Sequence, residues 1–263
     1  MMEYFYRALG YEFAKIYRSK VWWVVIGVVI VIQPLLALIE AISIAKIGIT
    51  ATPLTHPELA VALPALDYFG FDVVLFGQVA VVVLGGLEGA EIFQHHELRV
   101  TLLALNKRGS TFLAKFTAVL VASTIVSLTS IFITIATTHI GLGNLGLNPA
   151  LLSPIAWEFI CYATLDWVLL IALSFGLGML SRNAIVPLFF MIPQVVGLGA
   201  FLAEKWEWCG YLPVAVGNLL FAIPTDNYPH DPLKGGLILT LWAMVALIIS
   251  RHYFIHRDVG GQN

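Results

Sequence analysis

Charge is scarce in this 263-residue chain: charged residues make up 11% of it, where a soluble domain carries about 25%. Too little charge is present to cover a water-facing globule. Cysteine is nearly absent as well. Cys161 and Cys209 sit in or beside apolar segments without CxxC or Cys/His ligand spacing, so both read as membrane-packed thiols. The nucleotide-binding GxxxxGK[ST], the zincin HExxH and the GxSxG nucleophile elbow do not occur. The glycine run 141–146 lacks the lysine and the strand-loop-helix setting of a phosphate cradle, and reads as a flexible loop. A net charge of -2 gives no basic footprint from which to expect a nucleic-acid partner. No small-residue cleavage site follows the first apolar stretch, which is expected to remain as an anchor.

What is present is long apolar sequence. Hydrophobic residues make up 59% of the chain and the mean hydropathy is +0.89, which predicts an all-α integral membrane protein forming one transmembrane domain over residues 1–263. Windows of roughly 20 apolar residues predict six spans, at residues 21–45, 72–93, 112–140, 156–180, 184–202 and 233–253. The fifth contains Pro187 and Pro193. The outer segment 203–232 follows it, and its apolar stretch 211–223 is too short to cross about 30 Å of hydrocarbon, so a re-entrant or interfacial helix is expected there. Eleven basic residues fall on one side of these spans and three on the other. Both termini and the turn between the second and third spans are therefore expected in the cytoplasm.

Residues 1–20 predict an amphipathic interfacial helix. Phe5, Leu9, Phe13 and Ile16 share one face, and Arg7, Tyr11, Lys15 and Arg18 the other, which would lie toward anionic headgroups and cytosol. Residues 94–111 carry an unusual density of polar side chains for a tight turn in so apolar a chain. A helix of about a dozen residues is not stable alone in water, so this segment must pack on the spans, on lipid or on a partner. Glu88 and Glu91, one helical turn apart, need cationic partners there, and Lys107 or Arg108 could supply them.

Polar residues inside the spans are the remaining candidates. Asp166 lies about 15 Å from the outer end of the fourth span, with no lysine or arginine expected at its depth. It fits a substrate pathway or a buried packing role. Gln33 and Gln78 could close hydrogen bonds between helices or line the same path. Ser123, Ser127, Ser130, Thr134 and Thr138 form one stripe along the third span, suited to close helix packing or to a polar cavity wall. Trp206, Trp208 and Tyr211 fit an outer aromatic belt or an exit gate. His252 and His256, at i, i+4, suit the carboxyl end of a helix better than a metal site.

Taken together, the amphipathic amino-terminal helix, six spans, charged helix after the second span and Leu-Pro-containing outer segment before the sixth resemble the permease subunit of an ATP-binding-cassette (ABC) exporter of the type-2 family. Leu102-Leu103-Ala104-Leu105-Asn106-Lys107-Arg108-Gly109, followed by Lys115, is similar to the family's run of hydrophobic residues, proline, basic residues and a later lysine. Tyr211-Leu212-Pro213 followed by Ala215 resembles its outer hairpin. Asn106 stands where the family commonly has proline, and His96-Glu97 where Gly-Thr is usual. The resemblance implies that residues 94–111 form a coupling helix seated in a groove of an ATPase subunit, with Glu91, His95, Glu97, Arg99, Lys107 and Arg108 at the contact. It further implies a second permease copy or homologous permease, two cytoplasmic ABC ATPase subunits holding the ATP and Mg, and no cofactor on this chain. The expected activity is export of a drug-like, peptide or other amphipathic substrate across a bacterial plasma membrane. An ATP-independent carrier or channel using Asp166 stays open, and so does, more weakly, an intramembrane enzyme.

Overall fold

Ser19 breaks the chain early: its extended backbone (φ -74°, ψ 122°) separates an amphipathic helix, α1 (Met2–Arg18), from the first long apolar one. The computed structural model describes residues 2–57, 59, 61–93, 108–223 and 230–256. All regular elements among them are helices, and six are long and apolar enough to cross a membrane, the architecture of a multi-pass membrane protein. These six are α2 (Lys20–Ile47), α3 (Phe71–Glu91), α4 (Arg108–Leu142), α5 (Pro154–Ser181), α6 (Ile185–Lys205) and α8 (Pro232–His256); the short α7 (Pro213–Phe221) precedes the last.

Prolines and caps account for the shapes of these helices. Pro34 lacks an N–H and its ring crowds the carbonyl four residues back, and α2 widens into a π turn at Val28–Ile32. Ser153 begins α5 by accepting a hydrogen bond from the Ala156 N–H, with Pro154 at the first helical position. α6 is continuous only as far as Pro193. A second wide turn follows at Gln194–Leu198, where Gly197 takes φ 106°, before the helix resumes at Gly199. The fifth predicted span is thus a broken helix, with the break after Pro193, whereas Pro187 sits in the first turn, where a proline is tolerated.

α5 is the hub, packed against α3, α4, α7 and α8. α3 and α5 are the most buried of the six and α6 the least. In a bilayer the apolar side chains gain little from leaving lipid, so association rests on close packing and hydrogen bonds between helices. Gly85 and Gly89 let α3 lie directly on the Ile171 and Phe175 carbonyls of α5, where any side chain would clash. Ser174 donates to the Val82 carbonyl at 2.7 Å. The hydroxyl stripe of α4 works similarly: Ser130 donates to the Val29 carbonyl at 2.6 Å and Gln33 Nε2 to Thr134 Oγ1 at 2.9 Å. Bonds of this kind contribute about 0.6 kcal/mol each on average.

α1 departs from its expected orientation. Ala8 and Glu12 are buried against the start of α4, while Arg7, Tyr11 and Arg18 are exposed. Lys15, expected among headgroups, instead turns inward to Glu91. α1 is docked on the bundle by an ionic contact as well as by its apolar face.

Candidate functional site

Two polar assemblies interrupt the apolar packing. The first lies where α1, α3 and α4 meet. Lys115, only 1% exposed, extends its ammonium to Glu91 at 2.6 Å, Glu88 at 3.1 Å and Glu12 at 3.7 Å. Lys15 reaches Glu91 from the other side at 2.9 Å. Trp22 Nε1 donates to the second oxygen of Glu88 at 2.8 Å, tying in the beginning of α2. Burial pushes the Glu12 carboxyl above its ordinary range, and Lys115 and Lys15 pull it back only in part. A cation against Glu88 is thus Lys115, two turns into α4; of the two cations suggested by the order of residues along the chain, Lys107 lies outside the described residues. Arg108 Nη1 donates to the Ile255 carbonyl at 3.2 Å, joining the start of α4 to the end of α8.

The second assembly crosses the middle of the bundle. Gln33 bonds Thr134, and its Oε1 lies against Gly77, where a side chain would strike both Gln33 and Trp167. One residue along α3, Gln78 Nε2 donates to Asp166 Oδ2 at 2.7 Å and to Asn218 Oδ1 of α7 at 3.2 Å. Asp166 is fully buried. Its Oδ1 has no hydrogen-bond partner among the described residues and rests on Gly217, whose lack of a side chain lets α7 approach this closely. Asn218 also forms part of the wall of a cavity of about 1240 Å³ between α3, the broken end of α6, and α7.

Four of the sequence-derived site residues converge in this layer: Gln33 with Thr134, and Gln78 with Asp166. Ser127 is buried on the same stripe, with no hydrogen-bond partner for its Oγ among the described residues. Glu91 belongs to the charged node. His95, Glu97, Arg99 and Lys107 lie outside the described residues. The rings of His252 and His256 stand 4.4 Å apart, with His256 Nδ1 against the His252 carbonyl at 2.9 Å. No group of three or more His, Cys, Asp or Glu among the described residues is placed to hold a metal.

Sequence reasoning missed Glu12, Lys115 and Asn218 as site residues. Two of them carried a signal. Glu12 falls next to Phe5 at the edge of the apolar face on the helical wheel, a charged residue bordering that face. Lys115 lies inside a predicted span, where a cation needs an explanation, although it had been counted with the loop charges that set orientation. Asn218 had no comparable signal. Compared with protein-family models, with curated proteins and with solved structures, the chain matches none.

Proposed function

We propose that the chain is the membrane-spanning permease subunit of an ATP-driven ABC exporter. In this proposal it pairs with a second permease, its own copy or a homologue, and with two cytoplasmic ATPase subunits that hold the ATP and Mg. The observation that carries the reading is the Lys115 node. It ties α1, the end of α3 and the beginning of α4 through buried charges, and α3 and α4 flank the segment 94–107 on either side. A partner displacing that segment would move α3, α4 and α1 together, because separating Lys115 from its carboxylates in a dry site leaves unpaired charge. In such a coupling mechanism the segment receives the ATPase stroke through Glu91, His95, Glu97, Arg99, Lys107 and Arg108, and the node spreads it into the bundle. The excess of basic residues at this end supports a cytoplasmic placement for it in a bacterial plasma membrane. α7, with nine residues, reaches about 13 Å and serves as a re-entrant helix between the fifth and sixth spans.

The test is purification of the tagged protein in mild detergent from its native host, with identification of copurifying chains and an ATPase assay. The expected result is a stoichiometric soluble partner with a Walker motif, whose coupling to transport is lost when Arg99 and Lys107 are both reversed to Glu. Unchanged transport by that double variant, expressed at normal level, would remove the coupling role. One observation favours a second reading: the Oδ1 of Asp166, unpartnered among the described residues, suits a self-sufficient carrier whose coupling proton or cation binds there. A stable preparation with no nucleotide-binding partner would favour it.

A further inference from the structure

The cavity beside Asn218 does not stand alone. It shares Leu75 and Asn218 with a second cavity of about 290 Å³, which shares Asp72 and Ile223 with a third of about 250 Å³. The three form one trough along the end of the bundle opposite α1. Glu204 and Glu207 line its wide part, and Glu40 and Asp72 its narrow part. Lys234 is the single basic residue among the described residues of the walls. Asn218 is joined through Gln78 to Asp166, which is fully buried and has one oxygen unpartnered among the described residues.

The rest of the wide part is aromatic and apolar. Phe201, Trp208 and Tyr211 contribute exposed rings to it. Two of these rings already carry ammonium groups: Lys234 Nζ stands 5.4 Å from the centre of the Tyr211 ring and Lys205 Nζ 4.7 Å from that of Phe201. A ring face attracts a cation through its quadrupole, most strongly where water is displaced. Carboxylates at the rim, π faces on the walls and an uncompensated carboxyl joined through Gln78 to the deepest amide all favour the same charge. An anion could pair only with the two ammonium groups that already stand over the Phe201 and Tyr211 rings, and a neutral compound would gain nothing from the carboxylates.

We infer that this trough is a binding chamber for a bulky, apolar organic cation, admitted beside the break in α6. This names the substrate class of the exporter proposed above and depends on that reading only for the direction of movement. Lys234 and Lys205 occupy ring faces the ligand would use, so they act as resident competitors.

The experiment compares two probes of the same shape and opposite charge, tetraphenylphosphonium and tetraphenylborate. The full-length protein is placed in nanodiscs of zwitterionic lipid, with empty nanodiscs as the partition control, and binding is measured by equilibrium dialysis. Saturable binding of tetraphenylphosphonium alone is expected. The Glu204→Gln/Glu207→Gln double variant should weaken it about tenfold, and Lys234→Gln should tighten it about threefold. Misfolding would expose apolar surface to both probes alike, so a saturable gain for tetraphenylphosphonium alone in Lys234→Gln keeps the test decisive if the double variant is unstable. Equal or tighter binding of tetraphenylborate, binding no greater than in empty nanodiscs, or affinity unmoved by both variants would overturn the site. Binding requires no nucleotide and no partner chain. Cation binding without a copurifying ATPase would keep the chamber and remove the exporter, and the reverse result would do the opposite.

Discussion

Lys115 and Asp166 are both withdrawn from solvent, at 1% and 0% exposure, yet their surroundings are opposites. Lys115 has three carboxylates within 3.7 Å, and those carboxylates are in turn held by Lys15 and Trp22. Among the described residues Asp166 has one amide on one oxygen and nothing on the other. A buried charge surrounded by counter-charge holds helices in register, and its removal leaves several groups stranded. One kept without a counter-ion contributes little to holding the bundle, which makes it the better candidate for a group that meets something from outside. The comparison therefore predicts that the residue with more partners governs folding and the way movement is passed through the bundle, and that the one with fewer governs what is bound.

The sharpest way to break that comparison is Lys115→Met, which keeps the length of the side chain and removes its charge. Among the described residues Lys15, against Glu91, would then be the cation left to the node, and the expected loss is about 3–5 kcal/mol, read as a fall in the thermal unfolding midpoint in detergent and as protease cleavage of an undocked α1. Adding Glu88→Gln should restore part of the loss by reducing the excess negative charge, since residues in one network are not additive. If the double variant is no more stable than Lys115→Met alone, the node is held by packing and not by charge.

A smaller effect is expected from Gln78→Leu, which takes the donor from Asp166 Oδ2 and from the Asn218 amide oxygen. Stranding buried acceptors costs about 1–3 kcal/mol. Asp166→Asn, by contrast, preserves shape and an acceptor for Gln78, and its stability should stay within about 1 kcal/mol of the parent while transport of cationic substrates changes. An uptake or resistance assay over charged and neutral compounds checks the second half. A variant that is strongly destabilised but selects substrates normally would make Asp166 a structural residue like Lys115.

How much of this was legible beforehand depends on which physical constraint acts. The six apolar helices were readable because a bilayer demands a run of about 20 apolar residues regardless of tertiary detail, and Pro187 and Pro193 marked the helix that breaks. Gln33, Gln78, Thr134 and Asp166 were readable singly, as polar side chains within spans. Their pairing was not, because Gln78 and Asp166 are 88 residues apart and only the glycine-lined contact of α3 with α5 brings them level. Glu88 was assigned a cation from the nearest stretch of chain, whereas helix geometry supplied one from two turns further along α4. Residues 94–107, where most of the coupling assignment falls, are outside the described residues, so that assignment still rests on resemblance.

The smallest effect lies at the edge of the node, where the two kinds of charge meet. Glu12 is nearly buried and its contact to Lys115, at 3.7 Å, is the longest of the three, so desolvation outweighs attraction and its carboxyl titrates above the ordinary value near 4.5. A carboxyl raised on folding contributes stability below its unfolded pKa, and that contribution is lost as pH rises through the folded value. Glu12→Gln removes this dependence and, since desolvation and pairing nearly cancel in such contacts, should alter stability at neutral pH by no more than about 1 kcal/mol. Measured as unfolding midpoints from about pH 4.5 upward, the parent should lose ground to Glu12→Gln with rising pH. A parent that instead gains on the variant over that range would place Glu12 with the well-paired carboxylates, and the node would then be uniformly ion-paired out to α1.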